Sequence, residues 1–349
     1  MVQRRRRPRS LTLAVEPLES RAIPSAALAW PLAARSDGGG AVPAATGSPV
    51  ADVAAVLPAW LGAAAFTPGR LTPLARGLSW AEGPAFDAEH RLYFTDVNTG
   101  RILRWTNDGS ARGGLPGRLE VVLRRSGGAN GLAFDAAGNL LACLGDARRV
   151  VRWNLSAAGL PQERAVLTAG HRGRGFTGPN DLWVDQRGGV YFTDTRYWSR
   201  THSPQGGFHL YYVRPGEREP VRVTAGASLR GPNGVAGTAD GRLLYLADLP
   251  AARVWRYDVD PETGGLSNRA LFARRGVDGL EVDPATGDVY MGTSLGVAVH
   301  RADGSHRRTI RVPGGAVNLA FGTGPNADTL FITARSDVYA YPLDPARSA

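Results

Sequence analysis

The chain has 349 residues with 41 basic side chains against 31 acids, a formal net charge of +10, and every basic side chain is arginine. Residues 1–70 hold eight of the arginines and four of the acids, which leaves +6 spread over the rest with no dense basic stripe and argues against a nucleic-acid partner. No run of about 18 apolar residues exists, so no membrane-spanning helix is expected; the lone Cys143, in the apolar run 140–144, excludes an intrachain disulfide and reads as a small buried residue.

Residues 1–67 read as a basic arm and linker. Arg4–Arg7 open it, but Glu16 and Glu19 interrupt what would be the apolar core of a secretory signal. The basic run followed by Leu-x-x-Glu-Pro-Leu-Glu-x-Arg resembles an N-terminal segment of exported bacterial proteins, which favours export or the cell envelope over the cytoplasm. Residues 36–62 are mostly Ala, Gly, Pro and Val, a linker with one short helix near 53–61.

From residue 68 to 343 one unit repeats. Its first stretch is Glu82-Gly-Pro-Ala-Phe-Asp87, then Asn130-Gly-Leu-Ala-Phe-Asp135, Asn180-Asp-Leu-Trp-Val-Asp185, Asn233-Gly-Val-Ala-Gly-Thr238, Asp278-Gly-Leu-Glu-Val-Asp283 and Val317-Asn-Leu-Ala-Phe-Gly322. Steps of 48, 50, 53, 45 and 39 residues fit the blade length of a β-propeller. A second strand follows each first one (92–96, 140–144, 190–194, 244–248, 289–293, 330–334), then a third and a shorter, more polar fourth. The sixth repeat runs out of chain after its third strand, and Leu71 to Gly77 is expected to complete that blade and close the ring. The fold class is therefore all-β, a six-bladed β-propeller closed by its N-terminal strand, with a tail from 344 to 349.

Five of the six first positions (Glu82, Asn130, Asn180, Asn233, Asp278) carry side-chain oxygens. In a propeller the innermost strand lines the channel, so these oxygens are expected near the axis at one mouth. Turn formation before each inner strand would by itself account for Asn-Gly and Asp-Gly. Glu82 fits that account poorly, and the mix of acids and amides favours an oxygen cage. Such a cage suits a hard divalent cation, Ca²⁺ first, with Mg²⁺, Mn²⁺ or Zn²⁺ as alternatives.

The motifs Ser79-Trp-Ala-Glu-Gly-Pro84, Gly178-Pro-Asn-Asp181 before a Tyr-Phe-Thr-Asp strand, Gly231-Pro-Asn-Gly234 and Val277-Asp-Gly-Leu280 resemble the gluconolactonase, regucalcin (senescence marker protein) and diisopropylfluorophosphatase-like superfamily of six-bladed propellers. The resemblance implies that Glu82, Asn180, Asn233 and Asp278 are divalent-metal ligands, with Asp278 also the acid/base or nucleophile, and that Asn180 and Asp181 lie in the substrate-facing loop. Asn130 and Tyr197 join these two as expected substrate contacts. Two departures concern substrate choice: bacterial lactonase relatives often carry a histidine where Ala142-Cys-Leu-Gly-Asp146 has none, and Gly178 stands where regucalcins have arginine.

The function expected is metal-dependent hydrolysis of a small-molecule sugar lactone, with the cation polarising the carbonyl and Asp278 assisting attack by water. A phosphotriesterase or other esterase at the same site is one alternative; a non-enzymatic propeller that binds sugar or a partner around a structural ion is another. His171, His202 and His209 are candidate proton shuttles on the long connections of the third repeat.

Overall fold

A computed structural model describes residues 69–107, 117–197, 203–224 and 228–344. The arm and linker, the tail beyond 344, His202 and the export segment lie outside the described residues. Among the described residues no helix is long and apolar enough to cross a membrane.

The repeats fold as six four-stranded antiparallel sheets. Their inner strands are Ala81–Phe86, Ala129–Phe134, Pro179–Val184, Pro232–Gly237, Leu280–Val282 and Asn318–Phe321. Each inner strand touches the next, and the sixth touches the first, so the sheets close as blades around one axis. The sixth blade is completed as the sequence expects: Thr72–Ala75 pairs antiparallel with Asp337–Pro342, with Thr72 opposite Ala340 and Pro73 opposite Tyr339. Pro73, which has no N–H to donate, is tolerated on this outer edge.

The second strand explains why Tyr-Phe-Thr-Asp recurs. In Leu92–Asp96 and Val190–Asp194 every residue is buried, because neighbouring blades cover both faces of the sheet. The tyrosine reaches the far-side turn of the following blade: Tyr93 Oη donates to Gly159 O at 2.8 Å and Tyr191 Oη to Gly264 O at 2.8 Å. The phenylalanine packs in the inter-blade core, a contribution of about 2–3 kcal/mol for a fully buried ring. The threonine ties inner strands together, with Thr95 Oγ1 donating to Asn130 O at 3.0 Å and Thr193 Oγ1 to Asn233 O at 2.8 Å. Six apolar clusters follow the same logic, one of them joining Tyr93 and Ile102 of the first blade to Leu140 and Val151 of the second.

Two details differ from the sequence expectation. The fourth strand of the third blade is only Val221–Arg222, and a small hairpin, Gly170–His171 with Arg174–Gly175, rises ahead of that blade's inner strand. Cys143 is fully buried and unpaired, as a small core residue.

Candidate functional site

Each inner strand begins at the same mouth of the channel, so the first position of each repeat lies on one ring. Glu82, Asn130, Asn180 and Asn233 are each 5% exposed and Asp278 is 7% exposed, a uniform depth that turn residues on a surface would not have. Three of the ring positions are fixed by a shared device. An aspartate ending the second strand accepts the two backbone N–H groups that precede the inner strand. Asp96 Oδ1 holds Ser79 and Trp80 (3.0 and 2.9 Å) two residues before Glu82, Asp194 holds Thr177 and Gly178 (3.0 and 2.7 Å) before Asn180, and Asp248 Oδ1 holds Arg230 and Gly231 (3.1 and 2.9 Å) before Asn233. These aspartates act on backbone, and the ring residue follows each clamp at a fixed distance along the chain.

Just beneath the ring the channel is tight. A Cβ on Gly83, whose φ is +50°, would stand 2.1 Å from Asn130 O, and one on Gly279 would stand 2.3 Å from Asn318 Oδ1. Glycine is required by close approach there, beyond any turn preference. The third and sixth blades, opposite each other in the ring, place Asp181 and Asn318 at this second level. Asp181 Oδ1 accepts Leu182 N at 3.0 Å and Oδ2 accepts Val235 N at 3.4 Å; Asn318 Oδ1 accepts Leu319 N at 2.8 Å. Asp181 thus lies one layer below Asn180, and its oxygens are engaged by backbone.

The carboxyls interact. Burial, then the Asp278 and Asp181 charges, push the Glu82 carboxyl well above the usual carboxylate range, while the Gly83 N–H and the Asn318 amide hold it down in part. Burial raises Asp278 to about 7 against hydrogen bonding from Asn233; Asp181 adds to the rise and Arg335 opposes it. Burial likewise raises Asp181 to about 7, against the Leu182 and Val235 N–H groups and Asn318. Glu281, three residues past Asp278 and half-buried, is raised to about 7 by burial and by the Asp181 charge, with the Val282 N–H opposing. Asn233 Nδ2 donates to Asp278 Oδ1.

This donor chemistry fits a hard cation. Several buried carboxyls repel one another with one arginine acting on Asp278, and a dication at the ring would relieve that repulsion. Among the described residues no three His, Cys, Asp or Glu side chains sit at metal-holding spacing, so an ion here depends on the carboxamides, a set that suits Ca²⁺ or Mg²⁺ better than Zn²⁺.

Tyr197 borders the mouth between the third and fourth blades. The residue is 37% exposed, while its hydroxyl donates to Gly231 O at 2.7 Å. Burial and the nearby Asp278 and Asp248 charges hold that hydroxyl well above its usual pKa, opposed by Thr195 and Asn233. His171 and His209 lie farther out, packed on Tyr211 of the third strand with ring centroids 5.4 and 5.9 Å away. His171 Nδ1 pairs with Pro220 O at 2.8 Å. Sequence reasoning missed Asn318, Glu281 and Arg335. The signal for Asn318 was present, since it follows Val317 as Asp181 follows Asn180.

The sequence model of one family, SMP-30/Gluconolactonase/LRE-like region, matches residues 80–336. A gluconolactonase of Zymomonas mobilis is 28% identical over 51% of this chain and 54% of its own length. A pentonolactonase of Haloferax volcanii is 36% identical over 29% of this chain and 37% of its own. The chain thus spans about half the length, or less, of these curated relatives. A solved gluconolactonase of Xanthomonas campestris superimposes with a TM-score of 0.68 at 28% identity, covering 83% of this chain and 94% of that one.

Proposed function

The chain belongs to the SMP-30/gluconolactonase/LRE-like family, and from that premise we propose that it hydrolyses sugar lactones at the channel mouth with a divalent cation, Ca²⁺ first, held by Glu82, Asn180, Asn233 and Asp278. The observation that carries the reading is the ring of buried oxygen-bearing side chains, Glu82, Asn130, Asn180, Asn233 and Asp278, at one mouth of the channel, with Asn233 Nδ2 donating to Asp278 Oδ1. When bound, the cation supplies positive charge against the lactone carbonyl oxygen.

The remaining steps belong to the side chains. Asp278, a buried carboxylate at the ring, is the group suited to take a proton. Its Oδ1 engages Asn233, so Oδ2 is the oxygen that receives the proton from the attacking water. The new bond forms between water oxygen and carbonyl carbon; the bond from that carbon to the ring oxygen breaks; Asp278 returns the proton to the ring oxygen, which leaves as the alcohol of the opened hydroxy acid. Asn130 and Asn180 offer amide hydrogen bonds to sugar hydroxyls, and the exposed Tyr197 ring offers a face for the sugar. The close-packed level at Gly83 and Gly279 keeps substrate on the mouth side.

A pH-stat assay with glucono-1,5-lactone, with and without chelator, tests the reading. Turnover that the chelator abolishes and added Ca²⁺ restores supports it; hydrolysis no faster than buffer at any divalent cation concentration refutes it.

A further inference from the structure

The propeller's charge, dispersed along the chain, is sorted in space. Because successive strands of every sheet are antiparallel, the connections between them fall alternately on the mouth side and on the opposite face. Among the described residues, the mouth-side connections carry eleven arginines against two acids, Asp146 and Asp278. Those on the opposite face carry six arginines against thirteen acids. The formal charges are thus +9 and −7. At the mouth ends of the strands themselves six acids face five arginines, and over the rest of the strands four acids face eight arginines, so the two sides stand at +8 and −3 and the sign is unchanged. The result is a dipole along the channel axis with its positive end around the candidate site, the arrangement that concentrates anions at a cleft and speeds their arrival.

Two of these arginines stand on opposite sides of the mouth, in the equivalent connections of the third and sixth blades. Arg335 has a left-handed backbone (φ +55°), its carbonyl accepts the Ala81 N–H, and its guanidinium lies 5.9 Å from the Trp80 ring centroid. Its charge also reaches Asp278. Arg196 lies over Gly178, its Cβ and Cδ 3.4 Å from where a Cβ on that glycine would be. Its Nη2 is 3.4 Å from Asp146 Oδ1, and its side chain is 18% exposed.

We infer that this mouth selects lactones that carry a second, anionic group, a free carboxylate or a phosphate, over neutral sugar lactones. The inference rests on the lactonase reading and names the substrate class of the same site. The field of the mouth-side arginines draws the anion in, and Arg335 or Arg196 then holds the anionic group by charge-assisted hydrogen bonds while the lactone carbonyl lies at the ring of Asp278.

The test uses the full chain with Ca²⁺ and three probes: glucono-1,5-lactone, a glucaro-lactone with a free carboxylate, and a 6-phosphorylated gluconolactone, each at 10 and about 300 mM salt. The expected result is that kcat/KM for at least one anionic probe exceeds the neutral one by about tenfold at low salt and falls by about threefold or more at high salt, while the neutral probe stays nearly flat. Which anionic probe prevails separates carboxylate from phosphate. Arg335→Gln and Arg196→Gln lower the anionic-to-neutral ratio; Arg242→Gln on the opposite face does not. Equal kcat/KM values with no salt dependence, alongside good turnover of the neutral lactone, overturn the inference and leave the lactonase reading standing. No turnover of any probe, with calorimetry showing the cation bound, overturns both.

Discussion

Asn233 Nδ2 donates to Asp278 Oδ1 across the gap between neighbouring inner strands, which joins an amide of the fourth blade to a carboxyl of the fifth at the channel mouth. The two residues are 45 apart in sequence. The contact orients Asp278 and leaves its other oxygen for chemistry. Asp278→Asn keeps the shape and removes the proton acceptor, so kcat for lactone hydrolysis falls by about 10³-fold while the circular-dichroism melting curve stays within a few degrees of the parent. Undiminished turnover in that variant removes Asp278 from the mechanism.

Protonation and cation binding compete at the ring. Asp181 and Asp278 have folded-state pKa values near 7, above the usual carboxylate range. Between about pH 4 and 7 the cation-free folded protein binds more protons than the unfolded chain, so the stability these groups contribute is full below about pH 4 and lost as pH rises through 7. Ca²⁺ reverses the preference. It should raise Tm more at pH 8 than at pH 5, and calorimetry at pH 6.5 in buffers of different ionisation enthalpy should show proton release on binding. A Ca²⁺ stabilisation that is larger in acid contradicts the coupling.

Asn318 holds down the pKa of both Glu82 and Asp181. Asn318→Ala removes that amide, both carboxyls become harder to ionise, and Ca²⁺ affinity should fall by about tenfold at pH 7 with partial recovery at pH 8.5. Affinity equal to the parent at both pH values excludes the role.

The aspartate clamps predict a stability cost linked to the site. Asp194→Ala strands the Thr177 and Gly178 N–H groups in a buried setting, which costs about 2–4 kcal/mol in urea unfolding. Cation affinity should weaken with it, because Asn180 follows the freed segment. A stable variant with parental affinity shows that the clamp does not position the ring.

Closure depends on a short strand near the start of the propeller. Removing residues 1–67 leaves Thr72–Ala75 and its pairing with Asp337–Pro342 in place, so Tm and turnover should be retained. Removing 1–76 opens the edge at Asp337–Pro342, and aggregation with loss of the cooperative melt is expected. A soluble, cooperatively melting 77–349 fragment rules out a necessary closing strand.

Much of the fold was legible because the repeat is written in hydrogen-bond chemistry. Tyr, Thr and Asp of the second strand each have a separate partner, a turn of the following blade, an inner-strand carbonyl or an entry N–H pair, so the motif cannot drift without leaving buried polar groups unpaired. The ring of candidate residues was legible to the same depth: Glu82, Asn130, Asn180, Asn233 and Asp278 recur in phase with the blades. Asn318 escaped because the sixth repeat carries its amide one position later, facing Asp181 across the axis and outside the ring of first positions.

The sequence by itself determined the blade number, the strand order, the closing strand and which oxygens could approach the axis, since each follows from local periodicity and turn chemistry. The tertiary structure alone decided that Asp181 and Asn318 form a second level under the ring, that burial drives the carboxyls upward together, and that the acids gather away from the mouth and leave it positive. Those properties arise from antiparallel strands that send alternate connections to opposite faces and from ring closure that brings opposed blades within electrostatic reach, and neither distance exists along the chain.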